Sequence, residues 1–191
     1  GICHTYIDKF ASKKMAINIT FNAKMRRTSI CGATETILCH KDLVKQVLPH
    51  LLEKLLNAGC EIRGDSEVAL LSKKIKKASE QDWKKEYLDS IVSIKVVNSL
   101  SEAIQHINNY SSKHTDAIIT NSTKNAKLFL TEIESAIVMH NTSTQFSDGA
   151  EFGLGAEIGI STGKLHARGP VSTQELTTYK YIVKGNGQLR Q

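Results

Sequence analysis

The chain has 191 residues, 40% of them hydrophobic, and a net charge of +6 at pH 7. That length suits one domain whose core can form without disulfide staples. No apolar run approaches the roughly 20 residues of a membrane span, and no basic flank leads into an apolar stretch, which predicts a cytoplasmic protein with no membrane partner.

The elements follow in order. Cys3 to Ile7 reads as a short strand. Ser12 is placed to cap a helix whose apolar spacing runs from Met15 through Ile19 to Met25. Arg26 to Ser29 reads as a turn and Ile30 to His40 as a strand rich in β-branched residues. From Asp42, the residues Val44, Val47, Leu48, Leu51, Leu52, Leu55 and Leu56 form one helical stripe. Gly59 sits where such a helix should end, and Pro49 should kink it. Glu61 to Arg63 is a brief strand, followed by a short helix and a lysine loop. Ile91 to Val97 is a strand, and Ser99 caps a helix through Tyr110. Asp116 to Thr120, Lys124 to Ile133 and Ser135 to His140 read as strand, helix and strand. This alternation predicts an α/β domain with a mostly parallel sheet flanked by helices. From Asn141 to Val171 glycines cluster, and a loop of that length is usually functional. Leu176 to Val183 reads as a closing strand, followed by a polar tail to residue 191.

The charged and metal-binding residues narrow the chemistry. Lys73, Lys74, Lys76, Lys77, Lys84 and Lys85 lack aromatic interleaving, which predicts a solvated face and not a nucleic-acid surface. The four cysteines, Cys3, Cys31, Cys39 and Cys60, share no C-x-x-C spacing and read as reduced thiols. Cys3–His4 and Cys39–His40 make poor zinc grips, because neighbours on a strand point to opposite faces. Cys31 follows Arg26 and Arg27, whose charge would lower a thiol pKa, and the adjoining turn offers backbone N–H groups to an oxyanion. As a small buried residue it would be inert. The stretch Glu151 to Gly159 is glycine-rich without being a dinucleotide fingerprint. Arg168 suits a carboxylate or phosphate.

Several long stretches resemble one family. "GAEIGISTGKLHARGPVSTQELTTYKYIVKGNGQ" (Gly155 to Gln188) and "NTSTQFSDGAEFGLG" (Asn141 to Gly155) are similar to the end of γ-glutamyl phosphate reductases, in the aldehyde dehydrogenase superfamily. "DWKKEYLDSIVSIKVVNSLSEAIQHINNYSSKHTDAIIT" (Asp82 to Thr120), "GICHTYID" (Gly1 to Asp8) and "NAK…CGATETILCH" (Asn22 to His40) resemble the same catalytic domain. The resemblance implies an aldehyde-dehydrogenase-like catalytic (thiol) domain over residues 1–175. Residues 176–191 would form a strand and tail, a candidate oligomerisation element. The nucleotide-binding domain would lie upstream of Gly1, so the chain is expected to be a piece of a longer protein or one half of a complementing pair.

It also implies an activity: reduction of L-glutamyl 5-phosphate to glutamate 5-semialdehyde with NADPH, in proline biosynthesis. Cys31 falls on the nucleophile's position and would form a thioester, then a thiohemiacetal. Its own N–H would join the oxyanion site. Glu86 falls where a glutamate meets the nicotinamide ribose. Asn141, Ser143, Thr144 and Arg168 are the expected contacts to the anionic substrate. Around the nucleophile the family reads Gln-Arg-Pro-Gly-Val-Cys-Asn, whereas Thr28, Ser29 and Gly32 stand at three of those positions here. Two other readings are an inactive or partner-dependent remnant and a basic binding module.

Overall fold

The computed structural model describes residues 1–191. Seven parallel strands form one sheet in the order β4-β3-β5-β2-β1-β6-β7. In chain order these are β1 (Cys3–Ile7), β2 (Thr34–His40), β3 (Glu61–Gly64), β4 (Lys76–Lys77), β5 (Ile91–Val97), β6 (Thr115–Ile119) and β7 (Ile137–His140). Between them run α1 (Lys13–Met25), α2 (Val44–Asn57), α3 (Ser66–Ala69), α4 (Leu100–Tyr110) and α5 (Thr123–Glu132). Beyond β7, the strands β8 (Gly159–Ser161) and β9 (Gly169–Val171) pair antiparallel in a separate hairpin.

Period-two alternation divides the core between the two faces of the sheet. Ile7, Ile37, Cys39, Val92, Ile94 and Ile119 point to one side, where they meet Ala16 of α1 and the stripe Val47, Leu48, Leu51, Leu52 and Leu55 of α2. Tyr6, Leu38, Val97 and Ile118 point to the other, against Ala103 and Ile107 of α4 and Phe129 of α5. Both faces are therefore covered, as a parallel sheet requires.

The helix ends follow their sequence signals. The Ser12 hydroxyl accepts from the Met15 N–H, and the Ser99 hydroxyl accepts from the Glu102 N–H. Gly59, at φ +79°, closes α2. Its N–H donates to the Leu56 carbonyl and the Cys60 N–H to the Leu55 carbonyl, a Schellman closure. α2 runs unbroken through Pro49.

Six expectations are corrected. The strand expected from Ile30 starts only at Thr34, because residues 28–33 form turns, one closed by the Ala33 N–H donating to the Ile30 carbonyl. The lysine loop is partly strand, since Lys76 and Lys77 form the edge strand β4, where charge opposes pairing with another chain. β6 and α5 each start one residue before their expected position, and β7 starts two residues after its own. The closing strand Leu176 to Val183 is absent: no residue after Val171 joins a sheet, and Leu176, Tyr179, Tyr181, Ile182 and Val183 are exposed. Its β-branched composition is real, but a strand needs a ladder partner, and no edge of this chain reaches it.

Gly64 shows how closely β3 is packed. A Cβ there would lie 2.7 Å from Val68 Cγ1 and 2.8 Å from Val68 Cβ, and Val68 is fully buried. Gly64→Ala is therefore expected to cost about 1–3 kcal/mol by overpacking, read as a lower urea midpoint at unchanged m-value.

Candidate active site around an exposed thiol

Cys31 is the one exposed cysteine; Cys3, Cys39 and Cys60 are buried. It sits in the turn before β2, at the amino edge of the sheet. Burial pushes the thiols of Cys39 and Cys60 up to about 12. The Cys31 thiol is also raised: partial burial is the main cause, and the carboxylates of Glu157 and Glu86 add to it. The Cys31 N–H, which meets the sulfur, acts in the opposite direction. The expected lowering by Arg26 and Arg27 is absent. Both side chains are exposed, where water screens them, and neither is among the main causes of the shift.

Three groups hold the turn from beneath and from the side. The Cys3 thiol donates to the Cys31 carbonyl at 3.2 Å. A segment after β7 closes over the next residue: a Cβ on Gly32 would lie 3.1 Å from the Thr144 carbonyl oxygen. That segment is tied to the strand ends by hydroxyls. Thr144 bonds Thr34 at 2.9 Å, Thr34 bonds Thr5 at 2.7 Å, and Thr115 donates to Ser147 at 2.9 Å. The amides of Cys31 and Gly32 donate to no backbone carbonyl; the Cys31 N–H meets its own sulfur, and Gly32 is buried beneath the Thr144 segment.

The other expected site residues are spread out. Glu86 is exposed and lies close enough to Cys31 to act on its thiol. Ser143 caps a short helical turn by accepting from the Gln145 N–H. It also lines a cleft of about 220 Å³ with Asn22, Arg26, Gln145, Phe146 and Glu151. Thr144 is buried and committed to Thr34. Asn141, at φ 56°, grips Thr120 with both side-chain atoms, accepting from its N–H and donating to its carbonyl, past the carboxyl ends of β6 and β7. Arg168 donates to the Glu134 carbonyl. Of the four residues expected to contact substrate, only Ser143 lines an open cleft beside the thiol turn, and the cation in that cleft is Arg26.

The loop carrying Glu86 is braced by groups the sequence did not single out. Burial opposes ionisation of Asp82, but bonds from the Ser79 N–H, Arg63, the Ser79 hydroxyl and Tyr87 hold its carboxyl well below the usual carboxylate range. Glu35 and Lys24, both fully buried, pair at 2.7 Å, and Glu35 also accepts from the Leu88 N–H at 3.2 Å.

Two buried histidines set the acid limit of the fold. Burial pushes His106 down to about 3, with His4 and Lys95 adding to it. Burial likewise pushes His114 down to about 4. Both are neutral when folded, whereas an unfolded histidine takes a proton near pH 6.5. Their contribution to stability is full above that value and drains as pH falls towards 4 and then 3. Stability is expected to fall by up to about 1.4 kcal/mol per pH unit for each group in that window. Urea unfolding at a series of pH values from 7 to 4 reads the slope, and His106→Asn should flatten it.

A seven-stranded parallel sheet covered on both faces is the aldehyde-dehydrogenase-like fold, and here an exposed thiol stands at its amino edge. The comparisons agree. The model of the aldehyde dehydrogenase family matches residues 73–157, a span that does not include Cys31. A γ-glutamyl phosphate reductase of Rhodospirillum rubrum is 56% identical over 190 residues, 100% of this chain and 44% of that protein. The crystal structure of a γ-glutamyl phosphate reductase from Thermotoga maritima superposes with a TM-score of 0.95 at 46% identity, over 100% of this chain and 46% of that one. A glyceraldehyde-3-phosphate dehydrogenase from Methanocaldococcus jannaschii, solved with NADP, shares the fold at 15% identity and a TM-score of 0.61, over 76% of this chain and 40% of that one. The chain is thus a part-length relative of the γ-glutamyl phosphate reductases, spanning less than half the length of the curated relatives it matches.

Proposed function

We propose that this chain is the thiol-bearing part of a γ-glutamyl phosphate reductase, and that Cys31 is the group that takes the acyl unit from L-glutamyl 5-phosphate. The observation that carries the reading is the setting of Cys31: the one exposed thiol, on a turn braced by the Cys3 thiol and by residues 144–147. The Cys31 thiolate attacks the acyl carbon. A C–S bond forms, the C–O bond to phosphate breaks, and phosphate leaves with that electron pair. The Cys31 amide receives the negative charge that gathers on the acyl oxygen. Arg26 and Ser143, in the adjoining cleft, suit the anionic end of the substrate.

The chain's residues fit a nicotinamide cofactor at one point. Glu86 presents a carboxylate near the thiol, able to accept from a ribose hydroxyl, and Asp82, Tyr87 and Glu35 hold its loop. The cofactor, NADPH in this reading, supplies hydride when bound. Most of its binding surface is assigned to the part of the protein outside this chain.

The test is a chimera in which this chain replaces the matching portion of the Rhodospirillum rubrum protein. It is assayed in reverse, with glutamate 5-semialdehyde, phosphate and NADP. Formation of NADPH dependent on both phosphate and the aldehyde is expected. A folded chimera that binds NADP and forms no NADPH would sink the reading.

A further inference from the structure

We infer that Gln145 is the positioning residue of the thiol turn: its side-chain amide clamps the Arg27 carbonyl so that the backbone amide of Cys31 stays aimed at the reacting oxygen. Gln145 Nε2 donates to the Ala23 carbonyl at 2.8 Å and to the Arg27 carbonyl at 3.2 Å. Ala23 lies in the last turn of α1, and Arg27 is in the turn that leads to Cys31. The side chain is only 5% exposed, so water does not substitute for these bonds. Both acceptors are carbonyls, so the amide must turn its NH2 towards them, which leaves Oε1 buried without a partner. A buried acceptor left unmet costs free energy, and the two donated bonds hold the amide in place against that cost.

The clamp works on both sides of the sulfur. Upstream, Gln145 holds Arg27. Downstream, the backbone of the same segment sits on Gly32: a Cβ there would be 3.1 Å from the Thr144 carbonyl, 3.7 Å from Gln145 Cα and 3.7 Å from the Ser147 carbonyl. The turn is therefore gripped before and after Cys31 by residues 144–147, which are themselves fixed to Thr34 and Thr115. Gly32 permits this closeness, and a Cβ at that position would push the Thr144 carbonyl back by a few tenths of an ångström. The same grip keeps the thiol partly shielded, near the carboxylates of Glu157 and Glu86.

The inference rests on the reading of Cys31 as the acyl acceptor, but its first readout does not. A clamp that orders the turn has opposite effects on two reactions of the same sulfur. Iodoacetamide needs only an accessible thiolate. Acyl transfer from an acyl phosphate also needs the Cys31 amide in register, and small misplacement there costs rate steeply. Gln145→Met keeps the bulk and removes both donors. It is expected to let the turn swing towards water, lower the Cys31 pKa in the alkylation pH profile, and speed alkylation at pH 8 about threefold or more. Acylation of Cys31 by acetyl phosphate is expected to slow about tenfold or more. Gln145→Asn, one methylene short of both carbonyls, should move both rates the same way with a smaller change in melting temperature, and it decides the matter if Gln145→Met fails to fold.

Alkylation and acylation both unchanged in a folded variant, or both falling together, would overturn the inference and assign Gln145 to stability alone. If wild-type chain is not acylated while the alkylation profile still shifts, the proposed function fails and the clamp stands.

Discussion

Cys31→Ser, carried in the chimera, is expected to lower kcat by at least about 1000-fold. Serine keeps the shape and the turn but replaces a thiolate by a hydroxyl that hardly ionises near neutral pH. No other thiol can take over. Cys3, Cys39 and Cys60 are buried, burial pushes Cys39 and Cys60 up to about 12, and Cys3 is raised well above the ordinary thiol value by burial and by Asp116. KM for the aldehyde should change little, because the cleft of Arg26 and Ser143 is untouched. Steady-state kinetics with saturating NADP and phosphate read both parameters. Retention of turnover within about tenfold of the parent would remove Cys31 from the reaction. Since the Cys31 pKa is raised, turnover limited by its thiolate should climb as pH rises past neutrality.

Glu35→Ala is expected to cost about 3–5 kcal/mol of stability. Lys24 and Glu35 are both fully buried and meet at 2.7 Å. Removing the carboxylate leaves an ammonium with no counter-charge in the core, and it also removes the acceptor of the Leu88 N–H. Replacing the pair together, as Lys24→Met with Glu35→Leu, should cost much less, because no charge is then stranded. Urea unfolding of the three proteins measures the difference. A loss below about 1 kcal/mol in the single variant would mean that Lys24 finds water or another partner. Leu88, at φ 53°, lies two residues from Glu86, so the single variant should also loosen the loop that presents that carboxylate.

Much of the fold was legible because each element carries its signal locally. The stripe of α2 and Gly59 define that helix from its own residues, and Ser12 and Ser99 cap theirs as their positions imply. The missing strand at Leu176 to Val183 failed for the opposite reason, since β-branched composition is local but a ladder partner is not. The start of β2 was misplaced because Ile30, Thr34, Thr36 and Ile37 are β-branched, while the turn at Cys31 is set by contacts with Thr144 and Gln145, more than 100 residues away.

The sequence singles out the proposed nucleophile and gives no sign of what supports it. Resemblance picked out Cys31, and its local setting in sequence suggested activation by Arg26 and Arg27 that the geometry does not supply. Nothing in the sequence marks Gln145, because its role depends on two carbonyls, at Ala23 and Arg27, that carry no side-chain signature. Lys24 and Glu35 carry no local signal of pairing, and it is the fold that buries both and brings them together. Asn141 and Thr144 read as binding residues in a glycine-rich loop, and they prove to be committed to Thr120 and Thr34.

The central claim is that Cys31 accepts an acyl group from an acyl phosphate, and intact mass spectrometry tests it on this chain directly. The protein is incubated with acetyl phosphate at mildly alkaline pH, digested and mapped. A single acyl group on the Cys31 peptide, released by hydroxylamine and absent from Cys31→Ser, is the expected result. A thiol that iodoacetamide alkylates readily but acetyl phosphate leaves unmodified, or an acyl group on another residue, would contradict it.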